Sequence, residues 1–121
     1  MSRYIDLNCD MGESYYDKIV GNDSKIMPYI TSCNIACGFH GGDPQTIGKT
    51  IKLAIDNKVK IGAHPSYFDL EGFGRRKIHL SLKELESTIL YQVSAIKGIT
   101  EYYGEKLHHV KPHGALNNMA C

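Results

Sequence analysis

Short apolar runs alternate with longer amphipathic segments along the chain. Four runs have the length and composition of strands, and they cover residues 4–9, 32–37, 59–63 and 107–111. Two segments carry apolar residues at helical spacing and predict helices over residues 43–58 and 81–103, and a shorter amphipathic piece covers residues 26–30. This alternation of strands and helices predicts an α/β fold with parallel strands and helical crossovers.

Both long helices carry start signals. Asp43 is the expected N-cap of the first helix, with Pro44 at the first helical position. Ser81 and Glu84 have the spacing of a capping box. The expected ends are Asn57, which tolerates the left-handed conformation, and Gly104. The expected buried stripes are Ile47, Ile51, Ala54 and Ile55 in the first helix, and Leu82, Leu85, Ile89, Val93 and Ile96 in the second.

Composition narrows the class of protein. A chain of 121 residues with 42% hydrophobic and 22% charged residues is expected to form one modest globular domain. A net charge of +1 predicts no general attraction to nucleic acid or to anionic membranes. No apolar stretch approaches the ~20 residues that cross a bilayer. The first residues also lack the apolar core of a secretory signal, so we expect a cytoplasmic protein.

The four cysteines are not spaced as a metal site. Cys9, Cys33, Cys37 and Cys121 form no Cys-x-x-Cys pair. Cys33 and Cys37 are four residues apart and share one face of a strand. We therefore expect buried thiols in a reducing compartment rather than a zinc site or a disulfide.

Polar side chains gather at the ends of the predicted strands. They are Asn8, Asp10 and Glu13 at the first strand, His40 at the second, His64 at the third, and Lys111 and His113 at the fourth. Parallel sheets and barrels bind ligands at the carboxyl ends of their strands, where these residues would converge. Each residue alone has a commoner structural role, such as a turn, a cap or a surface charge. Three histidines at three successive strand ends favour a shared site instead.

Two loops have features of anion sites. Gly41, Gly42 and Asp43 precede a helix, where free backbone N–H groups attract a carboxylate or phosphate. Arg75 and Arg76 follow a glycine-containing loop and offer guanidinium forks, although one of the two is expected to be only a surface charge. The sequence Gly48-Lys49-Thr50 is not a P-loop, because it lies inside a helix and lacks the upstream glycine.

Several long motifs together resemble one family. The segments "IDLNCDMGES", "IMPYITSCNIACGFHGGDP", "IGAHPSYFDLEGFGRR", "LYQVSAIKG" and "HVKPHGAL" are similar to successive motifs of the LamB/YcsF family. The resemblance runs from Ile5 to about Met119. It implies the role of the A component of an ATP-dependent 5-oxoprolinase, which opens the lactam of 5-oxo-L-proline to give L-glutamate. It also implies partner subunits B and C, with ATP shared among the components.

The resemblance further implies a fold and a set of site residues. The fold is a distorted parallel (β/α) barrel of the glycoside hydrolase/deacetylase type, related to enzymes of carbohydrate metabolism. The polar motif positions fall on Asp6, Asn8, Asp10, Glu13, His40, Asp43, His64, Arg75, Arg76, Lys111 and His113. Asp6 is the position that the family adds, on the expectation that it points into the barrel lumen from the middle of the first strand.

The chain departs from the family pattern at three points. Gly41 and Asn117 replace the usual Ala and Tyr, and family members are about twice as long. Residues 1–121 are therefore expected to be the N-terminal half of a single barrel domain, with about four strands. Half a barrel leaves sheet edges unpaired, so we expect either a truncated product or completion by a second chain, including a homo-oligomer.

These residues suggest roles in lactam hydrolysis. The hypothesis gives acid–base catalysis, or the binding of a divalent cation, to His40, His64 and His113 together with Asp10 or Glu13. Lys111 and one arginine would stabilise the oxyanion or the substrate carboxylate. Two alternatives stay open at this point. One is a metal-dependent hydrolase or deacetylase acting alone, and the other is a non-catalytic binding fragment.

Overall fold

The computed structural model describes residues 5–120 as four strands, four α-helices and a 3-10 helix. The strands are β1 (Asn8–Met11), β2 (Ser32–Ala36), β3 (Lys60–His64) and β4 (His109–Val110). The helices are α1 (Asp23–Ile26), α2 (Pro44–Asp56), α3 (Leu82–Tyr102) and α4 (Gly114–Ala120), and the 3-10 helix is Met27–Tyr29. Within residues 5–120, no helix combines the length and apolarity that a bilayer crossing needs.

The four strands form one parallel sheet in the order β1-β2-β3-β4. Asp10, Asn34, Gly62 and His109 lie side by side across it. The predicted parallel α/β arrangement is therefore confirmed. A doubly wound sheet reverses its strand order at a switch point, whereas this sheet adds each new strand on the same side.

Alternation along the strands separates an apolar face from a polar one. The apolar face packs against the long helices through Met11, Cys33, Ile35 and Ile61 from the sheet, together with Ile51, Ala54 and Ile96 from the helices. Cys33 and Cys37 are free thiols in this core, as expected, and burial raises the pKa of each to about 12. The other face carries Asn8, Asp10, Asn34, His64 and His109.

The helix signals are confirmed, with two corrections. The Asp43 side chain accepts from the N–H groups of Gln45 and Thr46, and the Ser81–Glu84 capping box forms. At the end of α2 the left-handed residue is Lys58, with φ of 57°, rather than Asn57. Leu82 was expected in the buried stripe of α3, but it is 83% exposed, and residues 81–84 at the start of the helix are all exposed.

Strand bounds differ most where a partner strand is missing. The first strand was predicted over residues 4–9, but Tyr4 lies outside the described residues and β1 runs from Asn8 to Met11. Its ladder begins only where β2 begins at Ser32, so residues before Asn8 have no strand to pair with. β4 is shorter than predicted, because its ladder with β3 extends over just two residue pairs in residues 5–120. Helix α4 was not predicted.

Candidate functional site

Four side chains meet at the carboxyl end of the sheet. Glu13 follows β1, His40 follows β2, His64 is the last residue of β3, and His113 follows β4. One potential ligand atom from each lies within 4.8 Å of the others. The predicted convergence of the three histidines is therefore confirmed. We call these four residues the histidine cluster.

The side chains of the histidine cluster pack tightly and are almost fully buried. His40 Nε2 lies 2.8 Å from Glu13 Oε2, and the His40 and His113 rings stack with centroids 3.7 Å apart. His64 Nε2 lies 3.1 Å from His113 Nδ1. His40 and His64 are each 1% exposed, and His113 is 7% exposed. Burial lowers the pKa of His40 and of His113, so these two rings are neutral bases with an available lone pair at neutral pH.

A more exposed ion pair borders the cluster. Lys111 Nζ donates to Asp10 Oδ1 at 3.1 Å, and Asp10 Oδ2 lies 3.5 Å from His64 Nε2. The neighbouring His64 side chain is the largest cause that holds the pKa of Asp10 well below its usual range, and Asn34 and Lys111 add to it. Asp10 is therefore a carboxylate at neutral pH. Because both side chains are partly exposed, this is the side from which a ligand can approach.

Asn34 is a site residue that the sequence analysis missed. It is fully buried, and its Nδ2 donates to Asp10 Oδ1 at 2.8 Å and to Asn8 Oδ1 at 2.5 Å. Its Oδ1 accepts from His109 Nε2 at 2.7 Å. The signal was a lone amide inside the apolar run Cys33–Cys37, since a buried amide needs polar partners. Asn34 therefore fixes the orientation of the Asp10 carboxylate.

A loop from residues 72–76 covers the cluster. The Phe73 carbonyl accepts from His113 Nε2 at 2.7 Å, and the Phe73 ring lies edge-on to His40 with centroids 5.0 Å apart. Phe73 has φ of 55°, a left-handed conformation that is strained for an aromatic residue. A Cβ on Gly74 would lie 2.7 Å from His40 Cβ, so only glycine fits at that point. The sequence analysis named neither residue as a site residue.

The predicted anion site before α2 is corrected by the structure. The Asp43 carboxylate accepts from Gln45, Thr46 and Tyr16 N–H groups, so it already occupies the positive end of the helix. A Cβ on Gly41 would lie 2.6 Å from the Glu13 carbonyl oxygen. Gly42 has φ of 83°. These residues let the β1 and β2 loops touch and thereby position Glu13.

The two arginines separate into different environments. Arg76 Nε donates to both carboxylate oxygens of buried Asp69, at 2.9 and 3.0 Å, and this pairing holds the pKa of Asp69 at about 2. Arg76 therefore holds residues 69–76 of the loop together through this ion pair. The Arg75 guanidinium lies over the Phe73 ring, 5.4 Å from its centroid, beside the cluster. One of the two was expected to be only a surface charge, whereas Arg76 is bound to a buried carboxylate.

Asp6 and Asn8 lie away from the histidine cluster. Asp6 was expected in the middle of a strand, but it precedes β1, is exposed, and hydrogen bonds with Thr31 and with Ser32 Oγ. It therefore lies at the amino end of the sheet, because β1 starts two residues later. Asn8 faces Asn34 and belongs to the polar layer beneath Asp10.

Burial of the cluster predicts a pH-dependent stability. Burial is the largest cause that lowers the pKa of His113 to about 4, followed by the charge of His40, and burial lowers the pKa of His40 as well. Unfolded histidine titrates near pH ~6.5, so between the two values the unfolded chain binds the extra proton. The free energy of unfolding should therefore fall as the pH is lowered from 7 towards 4, by about 3 kcal/mol for His113 at ~1.36 kcal/mol per pKa unit.

Urea unfolding at several pH values, in EDTA so that only protons compete for the imidazoles, measures this effect. A His113→Asn variant should show a shallower fall over the same pH range. Equal pH slopes for the two proteins would contradict the assignment of the effect to His113.

The motifs that build this geometry match a known family over nearly the whole chain. A model of the LamB/YcsF family matches residues 5–121. The chain belongs to the LamB/YcsF family. The match extends over the strands, the histidine cluster and the covering loop, so the resemblance predicted from the motifs is confirmed.

Curated relatives in the LamB/YcsF family share about half of their length with this chain. Proteins named as the A subunit of 5-oxoprolinase are 58% identical over 118 residues in Natranaerobius thermophilus, 53% identical in Bacillus cereus and 52% identical in Bordetella pertussis. The alignments cover 97–100% of this chain but 46–48% of those proteins. This chain thus spans about half the length of the relatives it matches.

A solved structure shows the same backbone. The crystal structure of a lactam utilization protein from Thermus thermophilus aligns with a TM-score of 0.95 and 48% identity. The alignment covers 98% of this chain and 48% of that chain. The fold described for residues 5–120 is therefore one that this part of the longer protein also adopts.

Proposed function

We propose that this chain acts as the A component of an ATP-dependent 5-oxoprolinase, which hydrolyses 5-oxo-L-proline to L-glutamate. One observation carries the proposal: a chain 52–58% identical to proteins named as this component gathers four acid–base side chains at the carboxyl end of its sheet. The similar crystal structure, of a lactam utilization protein, supports the same substrate class.

The reaction needs an activated carbonyl, because amide resonance makes a lactam carbon a poor electrophile. In the proposed sequence the lactam oxygen attacks the γ-phosphorus of ATP and ADP leaves. Water adds to the activated carbon, the ring C–N bond breaks, and the nitrogen takes up a proton. A second water releases the resulting acyl phosphate as L-glutamate and inorganic phosphate. The protein must therefore supply a base for water, an acid for the nitrogen and positive charge for the oxyanion.

The cluster offers these groups in suitable protonation states. Neutral imidazoles at His40 and His113 can accept a proton, since burial lowers the pKa of both. Asp10 stays ionised and is oriented by Asn34. His64 lies between His113 and Asp10, so it is the proposed residue for moving protons between the buried imidazoles and the exposed ion pair.

In the proposal, the positive charge that stabilises the substrate comes from the exposed side of the site, where Lys111 and Arg75 lie. Lys111 Nζ, half exposed and paired with Asp10, is placed to stabilise a developing oxyanion. Arg75 is the proposed partner of the substrate carboxylate, because Arg76 is already held by Asp69. The proposal therefore assigns the two arginines of the family motif to different tasks.

We also propose that the sheet is the first half of a (β/α) barrel. Three features support this: the sequential strand order, a polar inner face that suits a lumen, and an alignment to about half of a longer chain. The remaining strands would come from further polypeptide. Partner subunits B and C would complete the enzyme and share ATP.

Reconstitution tests the function directly. This chain, or the full-length relative that is 58% identical to it, is combined with subunits B and C, and glutamate is measured with and without ATP. Glutamate formation that requires 5-oxoproline, ATP and the A component is expected. If the full-length relative is active and this chain binds the same partners but forms no glutamate, the proposed activity is contradicted for this chain.

A second candidate is favoured by the same cluster. Three imidazoles and a carboxylate also suit a metal-dependent hydrolase that needs no ATP. Release of acetate from N-acetylated sugars by this chain alone, unaffected by ATP or by the partners, would favour that candidate.

A further inference from the structure

Hydrogen bonds fix which nitrogens of two cluster histidines carry protons. His64 Nδ1 lies 2.5 Å from the Lys111 carbonyl oxygen, and His113 Nε2 lies 2.7 Å from the Phe73 carbonyl oxygen. A carbonyl only accepts, so both nitrogens must donate. In the neutral rings, the other nitrogens, His64 Nε2 and His113 Nδ1, then carry lone pairs.

Those two lone pairs face each other. His64 Nε2 and His113 Nδ1 are 3.1 Å apart and buried. Two acceptors at this distance repel unless a proton or a metal ion lies between them. Backbone carbonyls that bind the far nitrogens are the usual outer contacts of metal-binding histidines, because they fix the tautomer and turn the other nitrogen towards the ion.

His40 and Glu13 approach the same point. His40 Nε2 is 2.8 Å from Glu13 Oε2, while His40 Nδ1 is buried with no hydrogen-bond partner among the described residues. The Glu13 side chain is 13% exposed and has no arginine or lysine paired with it in the described part of the chain. A carboxylate that is largely withdrawn from water and has no paired cation is poorly compensated, and a bound metal ion would balance it.

We infer that Glu13, His40, His64 and His113 bind one divalent first-row transition metal ion, of the Zn²⁺ or Co²⁺ class rather than Mg²⁺. Three imidazoles and one carboxylate match the nitrogen-rich ligand sets of such ions, whereas Mg²⁺ prefers oxygen ligands and water. Ligand atoms on one ion with bonds of ~2.1 Å lie about 3.4–4.2 Å apart. The measured separations run from 2.8 and 3.1 Å up to the 4.8 Å limit, so the ligand atoms must move by about an ångström to take up the bound geometry.

Asp10 is better suited to contact the metal ligands than to bind the ion directly. Its Oδ1 is already bonded to Lys111 and Asn34, and its Oδ2 lies 3.5 Å from His64 Nε2. The competing arrangement is a proton on His64 Nε2, with Asp10 as counterion to a cationic ring. That arrangement also satisfies the facing nitrogens, and metal binding measured directly separates the two.

The inference rests on the proposed function only in sharing its site. A bound ion would engage the histidine lone pairs in place of the proposed proton transfers, and it would polarise the lactam carbonyl or activate water beside Lys111. Binding itself needs neither substrate, ATP nor partners. It can therefore be tested with the chain alone.

The experiment is a metal titration of the untagged 121-residue chain after removal of metal with EDTA. Zn²⁺ and Mg²⁺ binding is followed by calorimetry, bound metal by mass spectrometry, and Co²⁺ by its visible absorption bands. One Zn²⁺ or Co²⁺ per chain is expected, with no Mg²⁺ bound at the same concentration. Binding of no transition metal, or equal binding of Mg²⁺, would overturn the inference.

Variants locate the ion. His113→Gln should weaken Zn²⁺ binding by at least about tenfold, the lower end of the loss on disturbing a metal ligand or its supporting contact. His108→Gln is the matched control, because His108 is exposed and its Nδ1 faces His109 at 2.9 Å, where stray metal could bind. Binding that survives in His113→Gln but is lost in His108→Gln would overturn the site.

A conservative variant separates the loss of a metal ligand from misfolding. Glu13→Gln keeps the shape of the side chain and removes only the charge, so the fold should persist by circular dichroism while Zn²⁺ affinity falls. Unchanged affinity in folded Glu13→Gln would remove Glu13 from the ligand set and overturn the four-residue site. A chain that binds one Zn²⁺ yet fails in the reconstituted assay would contradict the proposed function alone.

Discussion

Replacement of His64 by glutamine is expected to reduce 5-oxoproline turnover by about 10²–10⁴-fold, the range for loss of a general acid–base group. His64 touches both halves of the site: it faces His113 at 3.1 Å and Asp10 at 3.5 Å. Glutamine keeps a polar amide at this position, but it cannot take up a proton. Glutamate formation by the enzyme reconstituted with partners and ATP is the measurement.

The matched control for this prediction is His79→Gln. His79 is exposed and lies outside the cluster, so the same chemical change should leave turnover unchanged. Both variants are checked for folding by circular dichroism, and both are also made at the equivalent positions of the 58% identical relative. Turnover by folded His64→Gln that stays within about tenfold of the unmodified protein would remove His64 from the proposed chemistry.

Replacement of Gly114 by alanine is expected to destabilise the fold by about 2–5 kcal/mol, the sum of left-handed strain and of overpacking. Gly114 has φ of 57°, and a Cβ there would lie 2.5 Å from the Gly74 carbonyl oxygen. That carbonyl also accepts from the Ala115 N–H at 2.9 Å. The clash would push the covering loop away from His113, so turnover should fall together with stability.

Gly104→Ala separates strain from crowding. Gly104 also has a positive φ, 92°, but a Cβ there would meet nothing within 4 Å. This variant should be destabilised only by the left-handed strain, by about 1–2 kcal/mol. Urea unfolding of the two variants gives the difference. Equal losses of stability in the two variants would show that crowding against Gly74 adds no cost in Gly114→Ala.

The site combines two environments with different chemistry. His40, His64 and His113 are nearly excluded from water, whereas Asp10 and Lys111 remain partly exposed. Low dielectric strengthens interactions with a cation or a developing charge at the buried end. The exposed pair can exchange partners with a substrate at lower desolvation cost. In the proposed reaction, substrate therefore enters beside the exposed pair and reacts against the buried imidazoles.

Local sequence signals predicted the parts of the fold that local physics controls. Asp43 and Ser81 cap their helices because short polar side chains satisfy free N–H groups within three residues. Short apolar runs between these helices required parallel strands. Once the strands are parallel, the histidines at their ends must share one edge, so the cluster was predictable without coordinates.

Contacts between distant residues decided what the sequence analysis got wrong or missed. The carboxylate of Asp43 faces Tyr16 as well as its own helix, and Arg76 is held by Asp69. Nothing local marks Asn34 as the partner of His109, which is 75 residues away. Asp6 was misplaced because the start of β1 depends on where β2 begins.

By itself, the amino-acid sequence determined the family, the parallel α/β order and the three strand ends that carry histidine, since these depend on periodicity, capping and short motifs. Only the tertiary structure decided the direction of each lone pair, the choice between the two arginines and the close approach of Gly74 to His40. Hydrogen-bond direction and packing depend on distances of a few tenths of an ångström between groups far apart in the chain, and no local pattern contains that information.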